Sequence, residues 1–255
     1  MMKFKRTIFS VLLIFVICAG VAPAQPKARA AAGEYTLKGD QVYRTVKGRT
    51  KLLEDVSIER METDAGFWAW FLADPEAPGM KGTQLGLRFF RGKEGKPAGF
   101  LPMEEGATSF CSLTFSPSGD KMLVSWGGLP VKHLSLYFID RNKEFVEKAS
   151  FETAEPPFWI DPNRFAFSTV DSDKGPRVEG MFDLWWCSIQ LYDCEAGKTT
   201  LIREATATKN YALNGYDRAK CALDITESFV KNAKDWEDED KIDDKELSLP
   251  VPAAR

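Results

Sequence analysis

Histidine is nearly absent: His133 is the single imidazole in 255 residues. A Ser-His-Asp catalytic triad or a Cys-His catalytic dyad needs an imidazole beside its nucleophile. No G-x-S-x-G motif is present, and one chain with one histidine cannot build a multi-histidine metal site. We therefore predict no catalytic residues, no metal site and no cofactor, and we expect His133 at the surface or at a strand edge.

Cysteine is also scarce, and none of the five cysteines has the CxxC or Cys/His spacing of a metal site. One of them, Cys18, lies in the N-terminal apolar segment. The remaining even number allows two disulfides in an exported chain. Cys187 and Cys194 are predicted to lie on one strand, which holds their Cα atoms beyond the roughly 7 Å limit of a disulfide. The disulfide candidates are Cys111, Cys187, Cys194 and Cys221, and the alternative is a set of buried thiols.

Long apolar runs are limited to the start of the chain. Ile8 to Val21 follows three basic residues and precedes the small-x-small sequence Ala22-Pro23-Ala24, a pattern typical of a secretory signal. The run is shorter than the roughly 20 residues that span a bilayer. No small residue directly precedes Cys18, which argues against a lipoprotein. We predict a signal peptide at 1–24, a disordered lead at 25–34 and one domain at 35–255, periplasmic or secreted and without a membrane span after cleavage.

The chain lacks a basic patch. Loss of residues 1–24 removes three basic residues and changes the formal net charge from −3 to −6. The segment 235–246 (DWEDEDKIDDKE) holds eight acids and two bases, so the rest of the mature chain is neutral. This distribution argues against nucleic acid as a partner, and we interpret the acidic segment as a solvated, mobile stretch.

Turns flanked by alternating or apolar runs recur throughout the domain. The stretch from Ser112 to Phe145 reads as strand, turn, strand, loop, strand, turn, strand. Similar turns lie on both sides of it at intervals of roughly 45 to 55 residues. One family falls near Gly48, Gly95, Asn142 and Gly197, and a second, interleaved family near Pro117, Pro162 and Gly215.

Each unit therefore holds two hairpins. Four strands in a period of about 40 to 50 residues are typical of a propeller blade. One small sheet cannot bury both faces alone, but stacked sheets bury each face on a neighbour. Met122 and Val124 lie on one face of a predicted strand and Leu123 on the other, as two-sided burial requires. We predict an all-β fold, a small β-propeller-like array of four or five four-stranded units, with a curved β-sandwich as the alternative.

Two short motifs resemble a known repeat. FSPSGDKMLVSW resembles the F-S-P-D-G run of TolB-type, WD-like β-propeller repeats, and LYDCEAGKTTL is similar to their outer hairpin. The resemblance is strongest over residues 112–204. It implies a propeller fold and protein–protein contacts in the cell envelope, although fold alone does not fix function.

The chain ends allow two readings. Gln41 to Val56 has no inner hairpin before it, so we predict that the two chain ends complete one blade. This gives four units, or five if ELSLPVP (246–252) and the N-terminal residues build another. Ile225 to Asp240 has apolar residues at spacings of three and four, which favours a helix. The alternative continues the preceding strand into the acidic segment.

Aromatic and acidic residues supply the candidate binding site. Trp68/Trp70 and Trp185/Trp186 are interpreted as core, with each pair placing one ring on a given face. The alternative is an exposed aromatic patch for a glycan or peptide. The binding candidates are Trp185, Trp186, Asp171 and Asp173.

We predict an exported, non-catalytic binding or scaffolding protein of the cell envelope, whose partner, another envelope protein, docks on the loops. The alternative is a periplasmic hydrolase of envelope glycans or peptides that uses paired carboxylates near Trp185 or Trp186.

Overall fold

Alternating side chains and tight turns build five antiparallel sheets. The computed structural model describes residues 34–54, 56–73, 85–103, 107–127, 131–140, 144–170 and 186–252. The first sheet contains β1 (Glu34–Lys38), β2 (Gln41–Val46) and β3 (Arg49–Leu52). The second contains β4 (Glu59–Thr63), β5 (Gly66–Ala73), β6 (Gly86–Arg91) and β7 (Lys96–Pro102). The third contains β8 (Phe110–Phe115), β9 (Lys121–Gly127), β10 (Lys132–Ile139) and β11 (Phe145–Thr153).

The last two sheets follow the same plan. The fourth contains β12 (Phe158–Asp161), β13 (Arg164–Val170), β14 (Cys187–Asp193) and β15 (Lys198–Arg203). The fifth contains β16 (Lys209–Asp217), β17 (Ala222–Phe229) and β18 (Asp243–Pro250). In every sheet the strands pair with their neighbours in chain order, as a meander. The all-β prediction is confirmed: the described residues form five units, three of them four-stranded. No helix in these ranges is long and apolar enough to cross a membrane.

The third sheet is buried on both faces. On β9, Met122, Val124 and Trp126 pack into one apolar cluster with residues of the second sheet. Leu123, on the opposite face, packs into another cluster with the fourth sheet. Burial of each large apolar side chain contributes about 1.5–3 kcal/mol, so stacking of the sheets is the main source of stability.

The same arrangement repeats at the other interfaces. The first sheet covers the face of β5 that carries Ala69 and Phe71, and the fourth and fifth sheets share a cluster that includes Ile189 and Ile225. The prediction that Trp68 and Trp70 occupy different faces is wrong. They are two residues apart on one strand, so both point to the third sheet, where both rings pack on Phe115.

The predicted pairing of the two chain ends is wrong. β1 forms a hairpin with β2, and β18 pairs with β17 from Phe229↔Asp243 to Ala222↔Pro250. In the described ranges, no strand of the first sheet pairs with the last. The ELSLPVP stretch instead supplies most of the outer strand of the fifth sheet.

The helix predicted over Ile225 to Asp240 is absent, and the strand alternative holds. β17 runs to Phe229, and 3-10 turns follow at Ala233–Glu237 and Glu239–Lys241. The acidic segment is not a solvated loop throughout, because Asp235 and Trp236 are buried. Pairing with β16 and β18, and burial of Leu223 and Ile225 against the fourth sheet, override the helical spacing.

The turn predicted near Gly215 is displaced. Gly215 lies inside β16 at a register shift, and the β16–β17 turn follows Asp217. None of the four described cysteines forms a disulfide. Cys187 begins β14 and Cys194 directly follows it, as predicted for residues of one strand.

A candidate binding groove at the ends of the inner strands

The first strands of sheets two to five converge on a groove. These inner strands are β4, β8, β12 and β16, and together with adjoining turn residues they line an open groove with a volume of about 460 Å³. It is lined by Met61, Glu62, Thr63, Asp64, Thr114, Phe115, Ser116, Pro117, Pro157, Phe158, Trp159, Tyr216 and Arg218. Four distant parts of the chain thus share one concave surface, and such sites commonly bind ligands.

Hydrogen bonds between sheets hold the groove walls together. The Asp64 amide donates to the Pro117 carbonyl at 2.7 Å, joining the second sheet to the third. The Trp159 indole Nε1 donates to the Thr114 carbonyl at 3.3 Å, joining the third sheet to the fourth. These bonds connect the β4–β5 turn, β8 and β12, so the groove is shaped before any ligand enters.

The β8–β9 turn, from the FSPSGDK motif, forms one wall. Gly119 has φ +67°, and a Cβ there would lie 2.7 Å from Thr63 Oγ1. The turn can therefore approach the β4–β5 turn only with glycine at this position. The FSPSGDK motif thus has a structural role, because its turn brings the third sheet into contact with the second.

A polar network stabilises this turn. Asp120 accepts hydrogen bonds from Ser116 Oγ and Ser118 Oγ, and its carboxylate lies 3.1 Å from Lys121 Nζ. Burial alone raises the pKa of Asp120, but the bonds from Ser118, Lys121 and Ser116 outweigh it and lower that pKa. Lys121 is buried, and its charge is compensated by Asp120. The network is therefore neutral overall and fixes the wall.

The groove combines an aromatic floor with a charged rim. Phe115 and Trp159 are buried, and Phe158 and Tyr216 are half-buried. Burial, and then the neighbouring Cys221, raise the pKa of Tyr216, so its hydroxyl stays protonated at neutral pH. The exposed charges at the rim are Glu62 and Asp64 on one wall and Arg218 on the other.

Trp186 is the one binding candidate within the described residues, and it does not line the groove. Trp186 is 1% exposed and its Nε1 donates to the Thr206 carbonyl at 2.8 Å. Trp185, Asp171 and Asp173 lie outside the described residues. The structure therefore does not test the hydrolase hypothesis, which depends on these residues. His133 is exposed on β10, away from the groove lining.

Sequence reasoning missed the groove because no local motif marks it. Its residues are too distant in sequence to form a recognisable pattern. The position of three aromatic residues within the repeat could have indicated it. Phe115, Trp159 and Tyr216 all belong to the first strand of their unit. The six tryptophans in the described ranges are all buried, as the core interpretation predicted. Within those ranges, no group of three or more His, Cys, Asp or Glu side chains is arranged to hold a metal ion.

Five meandering sheets with converging inner strands define a β-propeller-like fold. No protein-family model and no curated protein matches the chain. Solved structures do match it. TolB from Acinetobacter baumannii is 12% identical with a TM-score of 0.40, over 84% of this chain and 52% of that one.

Two further matches are a β-propeller domain and a peptidase. The β-propeller domain of Cps50 (Swd1) from Myceliophteria thermophila is 8% identical with a TM-score of 0.39, over 79% of this chain and 64% of that one. A puromycin-hydrolyzing peptidase from Mycobacterium tuberculosis is 12% identical with a TM-score of 0.43, over 84% of this chain and 35% of that one. The chain thus spans less than two thirds of each of these three structures, and the similarity is one of fold.

Proposed function

We propose that the protein is an exported, non-catalytic binding module of the cell envelope. Residues 1–24 direct export and are removed, and the lead at 25–34 precedes a single domain at 35–255. The mature protein is periplasmic or secreted. Its partner is another envelope protein, which places a peptide segment in the groove between the inner strands.

The composition of the groove supports this proposal. Phe158 and Tyr216 are half-buried and line the groove together with the buried residues Phe115 and Trp159. Aromatic side chains are enriched among residues that dominate binding energy. A volume of about 460 Å³ lies within the range of roughly 300–1,000 Å³ that small ligand sites occupy. The groove therefore suits a few side chains of an extended segment rather than a folded domain.

Site-specific photocross-linking in the native host tests the proposal. A photoreactive amino acid replaces Thr114, which lines the groove, or Thr200, which is exposed on the outer strand β15. We expect the probe at position 114 to join one envelope protein through a defined peptide. The probe at position 200 is the matched control and should not capture that protein.

A second experiment tests binding after the groove has been filled by a large side chain. Thr114→Trp adds a large ring inside the groove, and Thr200→Trp adds the same ring on the outer surface. The partner identified by cross-linking should lose binding to the first variant and bind the second normally. Equal cross-linking from both positions, or unchanged binding to Thr114→Trp, would show that the groove is not the binding site.

A further inference from the structure

We infer that the groove selects peptide segments that carry a lysine or arginine side chain, and that Glu62 and Asp64 recognise that cation. This inference rests on the proposed function, because it names the chemistry of the segment that the groove takes. Four observations carry it: the placement of the two carboxylates, the pairing of nearby cations, the aromatic floor and the position of Arg218.

The carboxylates of Glu62 and Asp64 are not neutralised by the protein. Both are exposed on the wall that ends β4. In the described part of the chain, neither makes an ion pair. Their negative charge is therefore open to a ligand in the groove.

Two cations near the groove are already paired with other acids, whereas Arg218 on the opposite wall makes no ion pair in the described part of the chain. Arg60, on the same strand as Glu62, contacts Asp40 Oδ1 at 2.5 Å and donates to the Gly39 carbonyl at 2.6 Å. Lys121 lies 3.1 Å from Asp120 Oδ2. Because Asp40 and Asp120 engage these two cations, neither pairs with Glu62 or Asp64, and a basic ligand would supply that positive charge.

The floor suits a long basic side chain. Phe158 and Tyr216 present half-buried rings beside the buried ring of Trp159. The aliphatic stem of lysine or arginine packs on apolar surface while its charged end stays polar. A cation over an aromatic face gains a further electrostatic attraction. A groove lined by both aromatic side chains and unpaired carboxylates therefore matches a basic side chain better than a neutral or acidic one.

Arg218 gives the site a direction. It is exposed on the opposite wall, at the start of the β16–β17 turn. Its charge repels a ligand cation and attracts a carboxylate or carbonyl oxygen. The basic group is therefore expected on the Glu62 side of the groove, and removal of Arg218 should affect a basic ligand in the opposite sense to removal of the acids.

Selection from a random heptapeptide display library tests the inference. The mature protein, Thr114→Trp and Thr200→Trp serve as three parallel targets. We expect peptides that bind the mature protein and Thr200→Trp but not Thr114→Trp, and we expect lysine or arginine to be enriched among them. The leading peptide is then synthesised with its basic residue intact, with norleucine there, and with glutamate there.

Calorimetric titration of these peptides supplies the quantitative arm. Glu62→Gln and Asp64→Asn should each weaken the basic peptide about 3-fold, and the double variant about 10-fold, as expected for exposed charge pairs. Arg218→Gln should strengthen it about 2-fold. None of these changes should alter binding of the norleucine peptide. Raising the salt from about 50 mM to about 500 mM should remove the preference for the basic peptide.

The outcomes separate the two proposals. If no peptide distinguishes Thr114→Trp from Thr200→Trp, the groove does not bind peptides and the proposed function fails. If groove-dependent peptides show no enrichment in lysine or arginine, or if the double variant binds the basic peptide normally, the proposed function stands and the inference is wrong.

Discussion

Trp186 and Trp236 meet edge to face, with ring centroids 4.8 Å apart and planes at 69°. They join the start of β14, in the fourth sheet, to the acidic segment that connects β17 and β18 of the fifth. The indole of Trp186 donates to the Thr206 carbonyl at 2.8 Å, and the indole of Trp236 to the next carbonyl, Ala207, at 3.0 Å. The composition of the acidic segment suggests a mobile stretch, but the buried ring of Trp236 anchors it.

Trp236→Ala should therefore destabilise the whole domain. Loss of a buried tryptophan leaves a cavity and costs about 3–5 kcal/mol. Trp236→Phe should cost less, because it keeps most of the packing and loses the indole hydrogen bond. Urea unfolding followed by circular dichroism measures both. The matched control is Glu237→Ala, an exposed neighbour that should stay within about 0.5 kcal/mol. A loss for Trp236→Ala below about 1 kcal/mol would mean that the segment is not anchored.

Glu227 gives the fifth sheet a defined sensitivity to acid. Its carboxylate accepts from Tyr211 Oη at 2.9 Å and lies 3.1 Å from Lys209 Nζ. Burial raises the pKa of Glu227, but the bonds from Lys209 and Tyr211 outweigh it, so the pKa falls below its usual value of 4.5. Burial, and then Glu227, raise the pKa of Tyr211 to about 12, so the tyrosine remains a donor.

Because the folded pKa of Glu227 is depressed, its contribution to stability is present above the unfolded pKa. It is lost as the pH falls through the folded pKa. Glu227→Gln should therefore lower stability at neutral pH and flatten its decline in acid. Unfolding free energies from about pH 7 to about pH 3 test this, with exposed Glu144→Gln as the control. An acid decline as steep in Glu227→Gln as in the parent protein would contradict the prediction.

The thiols should differ sharply in reactivity. Cys221 is exposed on the β16–β17 turn. Burial raises the pKa of Cys194 to about 12, against a partial opposing effect of Lys121. The thiolate is the reactive form, so iodoacetamide near pH 8 should modify Cys221 first and leave Cys194 intact until the protein unfolds. Mass spectrometry of timed samples reads the order, and Cys221→Ser removes the fast phase. Early modification of Cys194 would show that its side chain is open to solvent.

Alanine substitution of two glycines distinguishes the stability cost of backbone strain from that of a steric clash. Gly119 and Gly48 have φ of +67° and +76°, but only at Gly119 would a Cβ meet another residue, Thr63 Oγ1 at 2.7 Å. Gly48→Ala should cost about 1–2 kcal/mol from strain alone. Gly119→Ala should cost clearly more, because the clash forces the β8–β9 and β4–β5 turns apart. Equal costs, measured by urea unfolding, would mean that the two turns are not in contact.

Local sequence patterns predicted the hairpins. The features that the sequence did not predict depend on contacts between distant parts of the chain. Turn residues and alternation located β8–β9 and β14–β15, because a strand's period and a tight turn are written in a few adjacent residues. The separate first sheet was missed because β1 pairs through a short turn at Gly39 that adjoins the N-terminal lead. The position of Trp236 could not be read from an acidic stretch, since its burial depends on Trp186.

The groove follows the same rule. Met61 and Tyr216 are far apart in the sequence and line one cavity only because the sheets stack around the inner strands. No spacing in the chain marks such a meeting. The sequence predicted the repeated unit, and the stacking of the units creates the site.

Hydrogen–deuterium exchange with and without a groove-selected peptide tests the central claim most directly. The claim is that one binding surface is assembled from the inner strands of four sheets. The predicted result is slower exchange, together, in the segments 61–64, 114–117, 157–159 and 216–218, with no change in the outer strand β15. Slower exchange confined to one of these segments, or located on the outer strands, would contradict it.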